Sequence, residues 1–241
     1  MITSVNNEQI KEIAKLKEKK YRDSENLFLV EGSHLVEEAY KNKLLKKAIM
    51  VSDFEFLLDI EKIIVTKEIM KKLSDTSSPA RIIGVVEKKK DAKLGNKLLL
   101  LDGIQDPGNL GTIIRSSVAF GFDTIVASTE TVDLYNPKVI RSTQGMLFNT
   151  NIIVRDLEEF ILSIKKNDYI VLGTKVKGGI DINDIEVHKK FALIIGNEGN
   201  GISDKIIKLC DEYLYISMKK KCESLNAGVA ASILMYEMSK R

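Results

Sequence analysis

Residues 96–120 read NKLLLLDGIQDPGNLGTIIRSSVAF. The four leucines at 98–101 form an apolar run of strand length. Residues 102–107 then break into a polar turn. Gly108, Asn109 and Gly111 open a stretch with Ile113, Ile114, Val118, Ala119 and Phe120 at helical spacing, which predicts a helix. A buried strand, a glycine-containing loop and a helix N-terminus in succession are a common place for ligand and catalytic groups in α/β proteins.

Outward from this unit, strands are expected at 124–127, 151–154, 169–172, 191–195 and 212–216. Helices are expected over 136–142, 157–165 and 225–238. The alternation predicts an α/β domain on a mainly parallel sheet. Before it, Asn6 or Asn7 can cap a helix to Lys19, followed by strands at 28–30, 48–51, 62–65 and 81–86. Helices over 33–41 and 67–73 lie between them. The charged stretch 87–93 reads as a linker, which divides the chain into a small α/β unit at 1–90 and a larger one at 91–241.

A length of 241 residues with 44% apolar content suits one medium domain or two small ones. The net charge of +3 is mildly basic and compatible with RNA without requiring it. Lysines and an arginine gather at 11–22, 88–90 and 219–221, and each run alone reads equally well as solvated surface. Cys210, Cys222, His34 and His188 show neither a metal-ligand spacing nor a disulfide framework, so free thiols and no metal site are expected. No apolar run reaches membrane-spanning length and no secretory pattern stands at the start, so the expected location is the cytoplasm, away from membranes.

Three short segments carry the functional signal. In the first, 106–115, Asn109 and Arg115 are near enough in sequence to reach one site, and arginine offers a planar, permanently charged fork suited to phosphate. The bland reading makes Asn109 a helix cap and Arg115 a surface residue. In the second, 191–201, a buried strand runs into a loop with Gly196, Gly199 and Gly201, which permits close backbone approach to a ligand and holds Glu198. An ordinary turn with a solvated glutamate is the alternative. The third, 215–226, places Ser224 and Asn226 before an alanine-rich helix, where either can cap it. Its Ile216, Met218 and Leu225 offer apolar surface to an aromatic ligand, or simply pack a core. Neither the triphosphate-binding loop nor the dinucleotide fingerprint is present.

Together these segments resemble the signature motifs of the SpoU-type, or TrmH-like, RNA ribose 2′-O-methyltransferases of the SPOUT class. The resemblance rests on NLGTIIR at 109–115, NPKVIRSTQGMLF at 136–148, IIGNEGNGIS at 194–203 and ESLNAGVAASILMYE at 223–237, and covers 96–241. FLVEGSHLVEEA and SSPARIIGVV in the first unit resemble the small α/β substrate-binding domain of the same family.

The resemblance implies a C-terminal domain with a deep trefoil knot that binds S-adenosylmethionine, a homodimer, and structured RNA as substrate. Ribosomal RNA of the large subunit is the leading substrate and transfer RNA the alternative. It implies cofactor contacts at Gly173, Thr174, Gly196, Asn197, Gly201, Ile216, Met218 and Leu225. Arg115 matches the family's catalytic arginine. A guanidinium keeps its proton and is a poor base, so electrostatic positioning is the expected role. Asn109 would hold Arg115 or the ribose, Glu198 would anchor the arginine or a partner loop, and Ser224 and Asn226 would organise the closing loop. Methyl transfer from a sulfonium requires no metal, because the leaving group is already good. Ser217 stands where the family often has proline, and Ala227-Gly228 replaces a more usual valine-containing helix start. Rival readings are an RNA-binding protein without catalysis and a SPOUT enzyme that methylates a base.

Overall fold

The computed structural model describes residues 1–186, 188–219 and 221–240. Lys220, in the third basic run, lies outside them. Along the chain run α1 (Glu8–Lys15), α2 (Lys19–Glu25), β1 (Leu27–Glu31), α3 (Ser33–Lys41), β2 (Leu45–Val51), β3 (Glu61–Val65), α4 (Lys67–Leu73) and β4 (Ile82–Glu87). There follow β5 (Lys97–Asp102), α5 (Pro107–Ala119), β6 (Thr124–Ala127), α6 (Pro137–Thr143), β7 (Asn151–Val154) and α7 (Leu157–Lys165). The chain continues with β8 (Ile170–Thr174), β9 (Ile180–Asp181), β10 (Phe191–Gly196), α8 (Asp204–Ile207), β11 (Glu212–Tyr215) and α9 (Ala227–Ser239).

Two compact units result: 1–90 with 133–148, and 91–132 with 149–241. The charged stretch at 87–93 marks one division of the sequence, near 90, whereas 133–148, beyond it, packs with the first unit. Side-chain chemistry explains the difference. Arg22, only 6% exposed, pairs with Asp133 and donates to the carbonyls of Leu16 and Lys17. Phe28 and Tyr135 meet ring to ring at 4.6 Å, Lys88 lies over Tyr135, and His34 Nε2 is 3.1 Å from the Gln144 carbonyl. These groups clasp α6 and its flanks onto the first unit.

In the first unit a four-stranded sheet runs β1-β4-β2-β3, with β2 and β3 parallel and the other pairs antiparallel. One face of the sheet packs against α1 and α4 through Ile10, Ile13, Ile69 and Leu73, all buried. Asn7 Oδ1 caps α1 by accepting from the N–H groups of Gln9 and Ile10. That helix ends at Lys15 rather than Lys19, and a separate α2 begins at Lys19. The apolar stripe fails at Lys17, so nothing holds the helix to the core beyond Leu16.

The second unit carries a parallel seven-stranded sheet in the order β7-β6-β5-β10-β8-β11-β9. The residues at 98–101 of β5 and 192–194 of β10 are fully buried at its centre, with Ile161 and Ile164 of α7 packed over them. Strands covered on both faces read as unbroken apolar runs, which is why β5 and β10 were legible in the sequence. Helices α5 and α9 pack on each other, with Gly228 against Thr112: a Cβ on Gly228 would stand 3.3 Å from the Thr112 side chain. The glycine at the start of α9 therefore permits this close approach. At the centre of the sheet, the carboxyl ends of β5 and β10 lie side by side, with Gly196 paired to Asp102.

Candidate active site

Every parallel strand ends its backbone at the same edge, so the loops leaving β5, β8 and β10 gather there. The glycine loop after β10 is held closed by Asn197 and Gly201, each donating its N–H to the other's carbonyl at 2.9 Å. Asn197 Oδ1 accepts from the N–H groups of Gly199 and Asn200, and its Nδ2 donates to the Gly103 carbonyl at 2.7 Å. The loop doubles back so tightly that a Cβ on Gly196 would stand 2.2 Å from the backbone of Gly201 and Ile202. Gly201 itself has φ +69°, a left-handed conformation that glycine adopts without strain.

Two carboxylates pin this loop. Asp102 Oδ2, at the end of β5, accepts from the Ser203 N–H at 2.7 Å. Glu198 accepts from the N–H groups of Gln105 (3.1 Å) and Asp106 (3.0 Å) and from Asn109 Nδ2 (3.0 Å). Asp106, not Asn109, is the cap of α5: its Oδ1 accepts from the Asn109 N–H at 2.8 Å. Asn109 sits inside the first turn, buried, with its amide turned to Glu198. Partial desolvation pushes the Glu198 carboxyl up, but the hydrogen bonds from Asn109, Asp106 and Gln105 outweigh it and hold it below the ordinary glutamate range.

A cavity of about 610 Å3 opens beside the glycine loop. Its walls come from 174–177 after β8, 195–202 after β10, Leu214 to Ile216, Met218, Ser224, Leu225 and the inner face of α9. Of the residues singled out from sequence, Thr174, Gly196, Asn197, Glu198, Gly201, Ile216, Met218, Ser224 and Leu225 all line it. Asn226 stands next to it as the cap of α9, accepting from the Val229 N–H at 3.2 Å.

Four of the residues singled out from sequence lie off the cavity wall: Asn109 and Asn226, placed above, and Gly173 and Arg115. Gly173 faces the opposite side of the sheet, where its missing Cβ makes room for Cys210 Sγ and the Tyr213 ring. Arg115 is exposed on α5 and has no hydrogen bond or ion pair with any other described residue. Six residues along a helix turn a side chain about 120° and advance it about 9 Å, so Asn109 and Arg115 diverge. The expected junction of Glu198 with the arginine is likewise absent among the described residues: Glu198 engages Asn109 and the loop before it instead.

Other wall residues escaped the sequence reading. Ala227, Ala230 and Leu234 present one face of α9 to the cavity, and their spacing of three and four was a readable signal. Asp102, which is not part of the wall but pins the loop through Ser203, gave none, because a lone aspartate at a strand end has many ordinary roles. Ser217 departs from the family's usual proline, yet its hydroxyl donates to Asp181 Oδ2 and so ties the closing loop to β9.

Comparison with known proteins then decides the family. Residues 96–236 match the SpoU rRNA methylase family, and residues 7–84 match the MRM3-like substrate-binding domain. The chain belongs to the SpoU rRNA methylase family. Among its SpoU relatives, the Bacillus subtilis protein named 23S rRNA (guanosine(2553)-2′-O)-methyltransferase RlmP is 36% identical over 98% of both chains. A crystal structure described as an AdoMet-bound rRNA methyltransferase from Sinorhizobium meliloti superposes with a TM-score of 0.86 at 26% identity, covering 99% of this chain and 97% of that one. Another, described as an RNA 2′-O ribose methyltransferase, gives a TM-score of 0.83 at 27% identity over 99% and 98%. The SpoU match takes in the parallel sheet that carries the cavity together with 133–148, and the substrate-binding match takes in most of the small mixed sheet.

Proposed function

We propose that this chain is an S-adenosylmethionine-dependent RNA ribose 2′-O-methyltransferase acting on large-subunit ribosomal RNA. The observation that carries the reading is the cavity walled by the glycine loop and the loop before α9, the segments that bear the family motifs. The full-length relationship to the Bacillus subtilis 23S rRNA enzyme supports ribosomal over transfer RNA.

The cavity fits the cofactor. Its volume falls within the ~300–1,000 Å3 of small-molecule sites. Ile195, Ile216, Met218 and Leu225 offer apolar faces for a purine, while the backbone of the glycine loop and of the 216–225 loop offers polar edges. Thr174, Asn197 and Gly201 shape the wall between them. Bound there, S-adenosylmethionine supplies a methyl group on a sulfonium, a leaving group that needs no metal.

The protein's own part is binding and positioning. A ribose hydroxyl is a poor nucleophile and gains most from being held in line. Arg115, solvent-facing and without a protein partner among the described residues, is suited to a substrate phosphate beside that hydroxyl. A guanidinium keeps its proton in proteins, so Arg115 acts through its charge, not as the base. Asn109 and Glu198 fix the glycine loop to the head of α5, which keeps the cavity and Arg115 on one rigid frame. Ser224 and Asn226 order the entrance to α9.

Three further features belong to the same reading. The C-terminal segment forms a trefoil knot, supported by the return of the chain from β11, near the sheet edge, to α9 packed on α5. The protein works as a homodimer, supported by the apolar face where Phe120 meets Tyr236 at 5.5 Å and Val229 and Tyr236 are each 46% exposed. It works in the cytoplasm, a reading supported by two free cysteines and by the absence, among the described residues, of a helix long and apolar enough to cross a membrane. Mass-spectrometric mapping of ribosomal RNA from cells with and without the protein tests the assignment. One 2′-O-methyl group should vanish from large-subunit RNA; an unchanged map counts against it.

A further inference from the structure

The substrate-binding domain has a cavity of its own, of about 380 Å3. Val51 at the end of β2 and Met70 on α4 form a buried floor, with Pro79 beside them. Lys67, Lys71 and Arg81 stand around it, against a single carboxylate, Asp53. Arg81 is paired with Asp53 at 3.2 Å and lies 5.2 Å from the centre of the Phe54 ring. Lys67 and Lys71, four residues apart on one face of α4, are exposed and have no hydrogen bond or ion pair with any described residue. The repulsion between like charges at that spacing is offset in part at Lys67 by Asp53, which is shared with Arg81.

An anion would relieve it. The apolar floor is wasted on bare phosphate, and the volume exceeds what phosphate needs. Arg81, on the cavity wall and backed by the Phe54 ring, offers a planar cation of the kind on which a nucleobase stacks. We propose that this cavity is an RNA subsite. It takes one nucleotide of the substrate strand, with the base toward Met70 and Pro79 and a phosphodiester between Lys67 and Lys71. The inference rests on the reading of the chain as an RNA methyltransferase and adds where the substrate is gripped outside the methyl-transfer centre.

The test uses the full chain and unmodified 23S rRNA transcribed in vitro, with filter binding across a series of KCl concentrations. The double variant K67Q/K71Q changes only exposed side chains. Its dissociation constant should rise about tenfold, and the slope of log K against log salt should fall by about 1. Ala80→Trp, which fills the cavity without changing charge, should weaken binding as well. S-adenosylmethionine binding by calorimetry should stay at the wild-type value in both. Unchanged RNA affinity in K67Q/K71Q overturns the subsite, and so does an effect of that variant with none from Ala80→Trp, which would mean diffuse attraction to a basic surface. If K67Q/K71Q loses affinity for a polyglutamate peptide and not for RNA, the cavity serves a protein partner and the proposal is overturned. Failure of the wild-type protein to bind or methylate the RNA would instead remove the functional reading beneath it.

Discussion

Asn109 and Glu198 are 89 residues apart in sequence, and the Asn109 amide donates to the Glu198 carboxylate at 3.0 Å. With the Gln105 and Asp106 N–H groups on the same carboxylate, this contact joins the first and second family motifs into one rigid corner. Asn109, expected from the resemblance to hold Arg115 or the ribose, and Glu198, expected to anchor the arginine or a partner loop, here tie the head of α5 to the loop that walls the cavity.

Glu198→Gln should loosen that corner. The folded-state pKa of Glu198 lies below its ordinary 4.5, so its contribution is present above that pH and is lost as pH falls through the folded value. Because the side chain keeps solvent access, the loss at neutral pH should be no more than about 1 kcal/mol. Thermal melts of both proteins from pH 7 to pH 3 should converge below 4.5. A stability difference that persists in acid would sink the electrostatic role.

Gly196→Ala should do far more damage. Its new Cβ meets the Gly201 and Ile202 backbone at 2.2 Å, and no flexible side chain can yield there. Calorimetry should find S-adenosylmethionine binding weakened at least tenfold. Wild-type affinity would mean that the loop is not the cavity wall described above.

Asp133→Ala should destabilise the substrate-binding unit. Removing one partner of a fully buried ion pair costs about 3–5 kcal/mol, and the partial exposure of Asp133 brings the expectation to roughly 2 kcal/mol. Urea unfolding reads it directly, and a loss within about 0.3 kcal/mol of zero would contradict the clasp.

The proposed dimer face offers a fourth check. Val229→Glu places a charge where Val229 is 46% exposed on α9. Light scattering should show a dimer for the wild type and a monomer for the variant. A wild-type monomer would remove the dimer from the account.

Much of this was readable from the chain. Strands β5, β6 and β10 announce themselves as apolar runs because both faces of the parallel sheet are covered there. Asn226 as a helix cap was legible from its place before an alanine-rich stretch. What escaped depends on contacts between distant residues. Nothing local in 133–148 says that Tyr135 packs on Phe28, so its packing with the first compact unit could not be read from the chain, although the segment lies inside the SpoU match. Short elements such as β9 and α8, two and four residues long, carry too little pattern to stand out. Asn109 and Arg115 looked like neighbours in the motif, but helical geometry turns one inward and the other to solvent.

Arg115→Ala separates binding from turnover. The side chain lies off the cavity wall, so cofactor affinity should stay within about twofold while turnover on RNA falls at least 100-fold. Arg115→Lys should recover little, because an ammonium lacks the planar fork. Normal turnover in Arg115→Ala would end the proposed role.

The most direct measurement uses the purified protein, unmodified 23S rRNA and S-adenosylmethionine labelled on its methyl group, followed by digestion to nucleosides and mass spectrometry. The account predicts label in a single 2′-O-methylated nucleoside, with the base unmodified. Label on a base, or none in RNA despite bound cofactor, would contradict it.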